Sequence, residues 1–82
     1  MDFATTAYFQ QMKQRPDRAS IQNAWIAQAI NHPVYEEVQS DGRIRRWAQI
    51  AEAGDRYLRV ILLADGQTVH NAFFDRRFRM KP

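Results

Sequence analysis

The stretch RYLRVILLADGQTVHNAFFDRR, residues 56–77, admits few folds other than a β-hairpin. Val, Ile, Leu, Tyr and Phe fill two arms that meet at Asp65-Gly66. Asp-Gly between apolar runs is a strong hairpin signal, because a type I′ turn needs positive φ at both central residues. A two-residue turn pairs Ala64 with Gln67, Leu62 with Val69, Val60 with Asn71 and Leu58 with Phe73. Those residues share a nearly pure apolar face. The other face carries Tyr57, Arg59, Ile61, Leu63, Thr68, His70, Ala72 and Phe74, and function is expected there.

Upstream, the same arithmetic extends the sheet. Residues 34–39 alternate in polarity, and Ser40-Asp41-Gly42 suits a three-residue hairpin loop with glycine left-handed. That loop pairs Val38 with Ile44, Glu37 with Arg45, Glu36 with Arg46 and Tyr35 with Trp47. Opposite charges then face one another twice, which supports the register. To keep Ala48 and Ile50 on the face of Leu58 and Val60, the next loop must hold an odd number of residues, because an even loop turns every side chain over. A loop over 53–55 aligns Ile50 with Leu58 and Gln49 with Arg59.

The N-terminal part reads as helix. Residues 4–14 place Tyr8 and Met12 on one face, with a strand at 8–12 as the alternative. Arg15-Pro16-Asp17 breaks the segment. Residues 18–31 carry the apolar stripe Ile21, Trp25, Ala29 with Ile26 and Ile30 beside it, and Pro33 stops the helix after a capping His32. The expected fold is one α+β domain over residues 1–82. Two N-terminal helices, about 4–14 and 18–31, pack on a four-stranded antiparallel meander of strands about 34–39, 43–52, 56–64 and 67–75. The helices cover Val38, Ile44, Ile50, Leu58, Val60, Leu62, Val69 and Phe73.

Composition narrows the chemistry. There is no cysteine among the 82 residues, which excludes disulfides, thiolate zinc sites and thiol catalysis and fits a cytoplasmic protein. No apolar run is long enough for a membrane span, and the start has no basic n-region of a signal peptide. Two isolated histidines make no metal site, and the three glycines are all spent on turns, so no cofactor or nucleotide loop is expected. Net charge is +3, and 10 of the 12 basic residues are arginine. Arginine suits phosphate recognition, although a codon bias towards arginine gives the same composition. Arg76, Arg77, Arg79 and Lys81 cluster at the C-terminus, where they serve either as a phosphate fork or as charges guarding an edge strand.

On the second sheet face Glu37, Arg45, Trp47, Gln49, Tyr57, Arg59, Thr68 and His70 come together in this register. Attack of a 2′-hydroxyl on RNA phosphate needs a base, an acid and cations around the phosphorane. Arg45, Arg59, His70 and Glu37 are the right kinds for catalysis, with His70 or Glu37 moving protons, and Trp47 and Tyr57 for stacking bases. The same residues also make an ordinary solvated sheet face. Asn71, alone among apolar neighbours, is expected to tie the last strand to a helix or loop.

The runs DGRIRRW (41–47) and RYLRVILLADGQTVHNAFFDRRF (56–78), preceded by RPDR and a Trp-bearing helix, resemble a family of short bacterial domains of unknown function. That family is related to BrnT-type toxins and to the RelE/ParE toxin superfamily. The resemblance implies a RelE/ParE-like fold and a type II toxin that cleaves mRNA without metal, usually at the ribosome, and is silenced by a cognate antitoxin protein. Carried onto this chain, it implies catalysis by Arg45, Arg59 and His70, and RNA or phosphate contacts by Arg76 and Arg77. The second reading on the same fold is a non-enzymatic module. Ile61, Leu63, Ala72 and Phe74 on the second face suit an antitoxin segment or a homodimer seam.

Overall fold

In the computed structural model, which describes residues 3–80, the chain is α+β. Three short helices, α1 (Ala7–Lys13), α2 (Pro16–Ala19) and α3 (Asn23–Asn31), precede four antiparallel strands in the order β1-β2-β3-β4. The strands are β1 (Tyr35–Val38), β2 (Ile44–Ile50), β3 (Arg56–Leu62) and β4 (Val69–Phe74). No helix among the described residues is long and apolar enough to cross a membrane.

The first expected helix starts later than its periodicity suggests. Ala4 and Thr6 pair with β4 through Val69 N–H to Ala4 O (2.8 Å) and Thr6 N–H to Val69 O (3.0 Å). The hydroxyl of Thr6 then caps α1 by accepting from Phe9 N–H. β-Branched Thr5 and Thr6 suit extended backbone, and this short parallel pairing covers part of the outer edge of β4.

The expected helix over 18–31 is two helices. Pro16 opens α2, which ends at Ser20, and Gln22 precedes α3. The break lets buried Ile21 join Trp25, Ile26 and Ala29 in the core. It also aims Arg18 at β4, where Nη1 donates to Asn71 Oδ1 (2.8 Å). Asn71 is thus tied to a helix, as its isolation among apolar residues suggests. His32 is the C-cap of α3.

The β1–β2 register is the expected one, from Tyr35↔Trp47 to Val38↔Ile44, and both cross-strand Glu–Arg pairs form. The β2–β3 connection has odd length but is longer than expected. A 3₁₀ turn at Ala51–Ala53 leads into left-handed Gly54 (φ 71°) and Asp55 (φ 62°). The register slides by two residues, so Ile50 pairs with Arg56 and Trp47 with Arg59. Parity survives the slide, and every side chain of β2 keeps its expected face.

Two expectations about the central hairpin need correction. Only Gly66 takes positive φ in its turn, so Asp65-Gly66 is not a type I′ pair. Instead Gly66 N–H bonds to Leu63 O, and the Asp65 carboxylate collects the N–H groups of Gln67 and Thr68 and the Thr68 hydroxyl. Those bonds hold the Asp65 carboxyl below its usual value. Leu62 still pairs with Val69, but a β-bulge follows, and Ile61 pairs with Asn71. His70 is the extra residue. Beyond it, Ala72 and Phe74 take the core side and Phe73 leaves it.

The core lies between the helices and one sheet face. Ile26, Ile50, Leu58, Leu62, Val60 and Val69 are fully buried in it. Val38 is not in it: it is 63% exposed, because α3 packs over β2 and β3 and leaves edge strand β1 bare.

Candidate functional site

The sheet face away from α3 is not open along its whole length. After β4 the chain doubles back across it. Phe78 lies in a cage of rings, stacked on Trp47 (centroids 4.8 Å apart) and touching Tyr57 (5.0 Å) and Tyr35 (5.8 Å). Trp47 is only 3% exposed as a result. The ring that would stack a base already stacks Phe78.

Asp75 anchors this crossing. Its Oδ2 accepts from Trp47 Nε1 (3.0 Å) and from Arg59 Nε (3.1 Å) and Nη2 (2.7 Å), and its Oδ1 accepts from Arg77 N–H (3.0 Å). Burial opposes ionisation of Asp75. The N–H groups of Trp47, Arg77 and Arg59, with the Arg59 charge, outweigh it and hold the carboxyl below its usual value. Arg59 is therefore committed inside the fold, paired with Asp75 and resting over Trp47 and Phe73.

Arg45 lies in the next row, across from Ile61, and pairs with Glu37 at 3.1 Å. Its Nε is buried without a partner. His70 sits further along, at the bulge. Its Nδ1 is 3.1 Å from Thr6 Oγ1, and its ring stacks on Tyr8 with centroids 4.8 Å apart. Arg45, Arg59 and His70 share one side of the sheet without converging on a common point. Arg59 belongs to the Asp75–Phe78 crossing, and His70 to the junction of β4 with α1.

Burial, helped by the positive charge of Arg43, pushes the His70 imidazole below its ordinary value of 6.5. Both effects favour the neutral ring. Thr6 Oγ1 already accepts from Phe9 N–H and has one lone pair and one hydroxyl proton left for His70. In the tautomer with Nδ1–H donating to Thr6, Nε2 carries the free lone pair. The result is a base held by a helix cap and an aromatic ring, with Arg43 half-exposed nearby.

Arg76 and Arg77 follow Asp75 and are exposed. Lys81 lies outside the described residues. Among the described residues no group of three or more His, Asp or Glu side chains is placed to hold a metal ion.

Several residues of this face escape a reading by strands alone. Thr6 and Tyr8 come from the N-terminal segment, 64 and 62 positions from His70 in sequence, and nothing local links them to it. Phe78 had a visible signal, since an aromatic just past a strand end in a basic stretch is free to fold back. Asp75 had one too, as the lone carboxylate beside Arg76-Arg77. Compared with protein-family models, curated proteins and solved structures, the chain matches none.

Proposed function

We propose that this protein is a metal-independent endoribonuclease of the type II toxin class, acting at the His70 end of the sheet. One observation carries the reading: an imidazole fixed by Thr6 and Tyr8, with the Arg43 charge near enough to disfavour its protonation. Nε2 of His70 takes the proton of a ribose 2′-hydroxyl. The 2′-oxygen bonds to phosphorus, the bond to the 5′-oxygen breaks, and the leaving oxygen receives a proton from the Tyr8 hydroxyl or water. Arg43 offsets the charge of the phosphorane. Arg59 acts as a positioning residue, holding Trp47 and the crossing segment through Asp75. A cognate antitoxin protein is the implied regulator, and the ribosome the implied place of action. The resemblance of DGRIRRW and the hairpin stretch to toxin-related domains agrees with this reading.

Induced expression is expected to arrest growth and fragment mRNA, with His70→Ala abolishing both. Removing a positioned general base costs about 10²–10⁴-fold in rate. Cleavage of a defined RNA by purified protein in EDTA tests it. Intact RNA with folded wild-type protein, or full activity in His70→Ala, would overturn the proposal. The pH profile carries a second check. Protonation removes the base, and the imidazole titrates below its ordinary 6.5. The acid limb of the rate profile should therefore lie below pH 6.5.

A protein-binding module without catalysis is the second reading. The observation favouring it is β1, an edge strand exposed along its length, with Tyr35 and Val38 48% and 63% exposed and Val34, just before it, 45%. Such an edge can take an added strand from a partner or a second copy. Light scattering across a concentration series checks the self-association version, which expects a dimer that Val38→Lys dissociates.

A further inference from the structure

The arginines divide into two groups. Arg15, Arg18, Arg43, Arg45, Arg46 and Arg59 each have a carboxylate within ion-pair distance. Among the described residues Arg56, Arg76, Arg77 and Arg79 have none. All four lie at one end of the molecule, where β3 begins and the chain leaves β4. Among the described residues the arginines without a carboxylate partner are concentrated there.

The surface at that end is concave. Two adjoining clefts of about 310 and 240 Å³ share Arg56, Phe74 and Arg76 as walls. Arg79 lines the first and Arg18 the second. Three carboxylates also border them. Asp75 is neutralised by Arg59, and Asp17 by Arg15 and Arg18, which leaves Asp55 against three arginines that have no carboxylate partner among the described residues. Arg56 is set in place before any ligand arrives: its guanidinium lies 3.9 Å over the Phe74 ring, and its Nε donates to Ala53 O. Its Nη groups have no hydrogen-bond partner among the described residues. A fork held by a ring, with its outer N–H groups unspent, suits bidentate contact to a phosphate.

We propose that this groove binds the phosphate backbone of single-stranded RNA, as a site separate from the His70 end. The proposal rests on the ribonuclease reading for its choice of RNA. Arginines interleaved with Phe74, Tyr57 and Phe78 favour a nucleic-acid strand over a plain acidic chain. The groove and His70 lie near opposite ends of β3, six residues or about 20 Å apart along the strand. A bound RNA must extend over several nucleotides to touch both. Short substrates would reach the base but not the groove.

The test is the salt dependence of binding. A dye-labelled oligouridine of about 12 nucleotides is titrated with wild-type protein over a series of NaCl concentrations. Each phosphate contact on a single strand contributes about 0.7 to the slope of log K against log salt. Arg76→Gln should lower that slope by about 0.7, and the double variant Arg56→Gln/Arg76→Gln by about 1.4. His70→Ala should leave it unchanged while abolishing cleavage. Arg76 is exposed, so its single variant keeps the test valid if the double variant unfolds. An unchanged slope in folded Arg76→Gln overturns the groove, as does a wild type that binds poly-glutamate but not RNA. Groove-dependent binding without cleavage leaves this proposal standing and removes the nuclease. His70-dependent cleavage with an indifferent slope does the reverse.

Discussion

Ala72→Glu is expected to unfold the protein at room temperature, or to cost at least about 4 kcal/mol, whereas Phe73→Glu should cost about 1 kcal/mol. Neighbours on one strand differ this much because of the bulge at His70. Ala72 is 4% exposed and belongs to the core cluster with Val60, Leu58 and Trp25. A glutamate there overpacks the site and forces a carboxylate among the apolar side chains of the core. Phe73 faces the other way, between the guanidinium groups of Arg18 (5.2 Å) and Arg59 (5.0 Å). A glutamate in its place loses two cation–π contacts and gains two nearby positive charges. Without the bulge the order of the two variants would reverse, with Phe73 inside and Ala72 outside. Urea unfolding of both variants decides it.

Asp75→Ala is expected to cost about 3 kcal/mol, the scale of removing one partner from a largely buried ion pair. Its side chain is 8% exposed and that of Arg59 23%. Truncation leaves the Arg59 guanidinium and Trp47 Nε1 without their acceptor and releases the turn at Arg77. Phe78 then loses the anchor that holds it on Trp47, and tryptophan emission should shift to the red as that ring meets water. Asp75→Asn keeps one acceptor and should fall between. Acid gives an independent check. The folded-state carboxyl titrates below 3.8, so its contribution is complete above that pH and is lost as pH falls through the depressed value. Wild type should lose more stability on acidification in that range than Asp75→Ala does.

Much of this sheet was readable from pattern. The β1–β2 register followed from a three-residue loop with left-handed Gly42 and two facing Glu–Arg pairs. The face of each β2 residue followed from parity alone, since a loop of odd length preserves facing whatever its length. That is why Arg45, Trp47 and Arg59 fell on one side even though the β2–β3 register was displaced by two. The bulge was not readable. One extra residue at His70 reverses the facing of everything after it, and no residue type in Val69–Phe74 announces it.

Chain order and period-2 or period-3.6 patterning thus determined the α+β class, the meander, and the apolar stripe of α3, because these depend on neighbours within a few residues. Which side chains meet across the fold was decided only in three dimensions. Asp75 and Phe78 take Arg59 and Trp47 out of solvent, Thr6 and Tyr8 hold His70, and α2 turns Arg18 onto Asn71. Such contacts join residues up to 64 positions apart. They depend on how elements pack and on which charges find partners; local sequence marks Asn71, Asp75 and Phe78 as residues in need of a partner but does not say which residue that is.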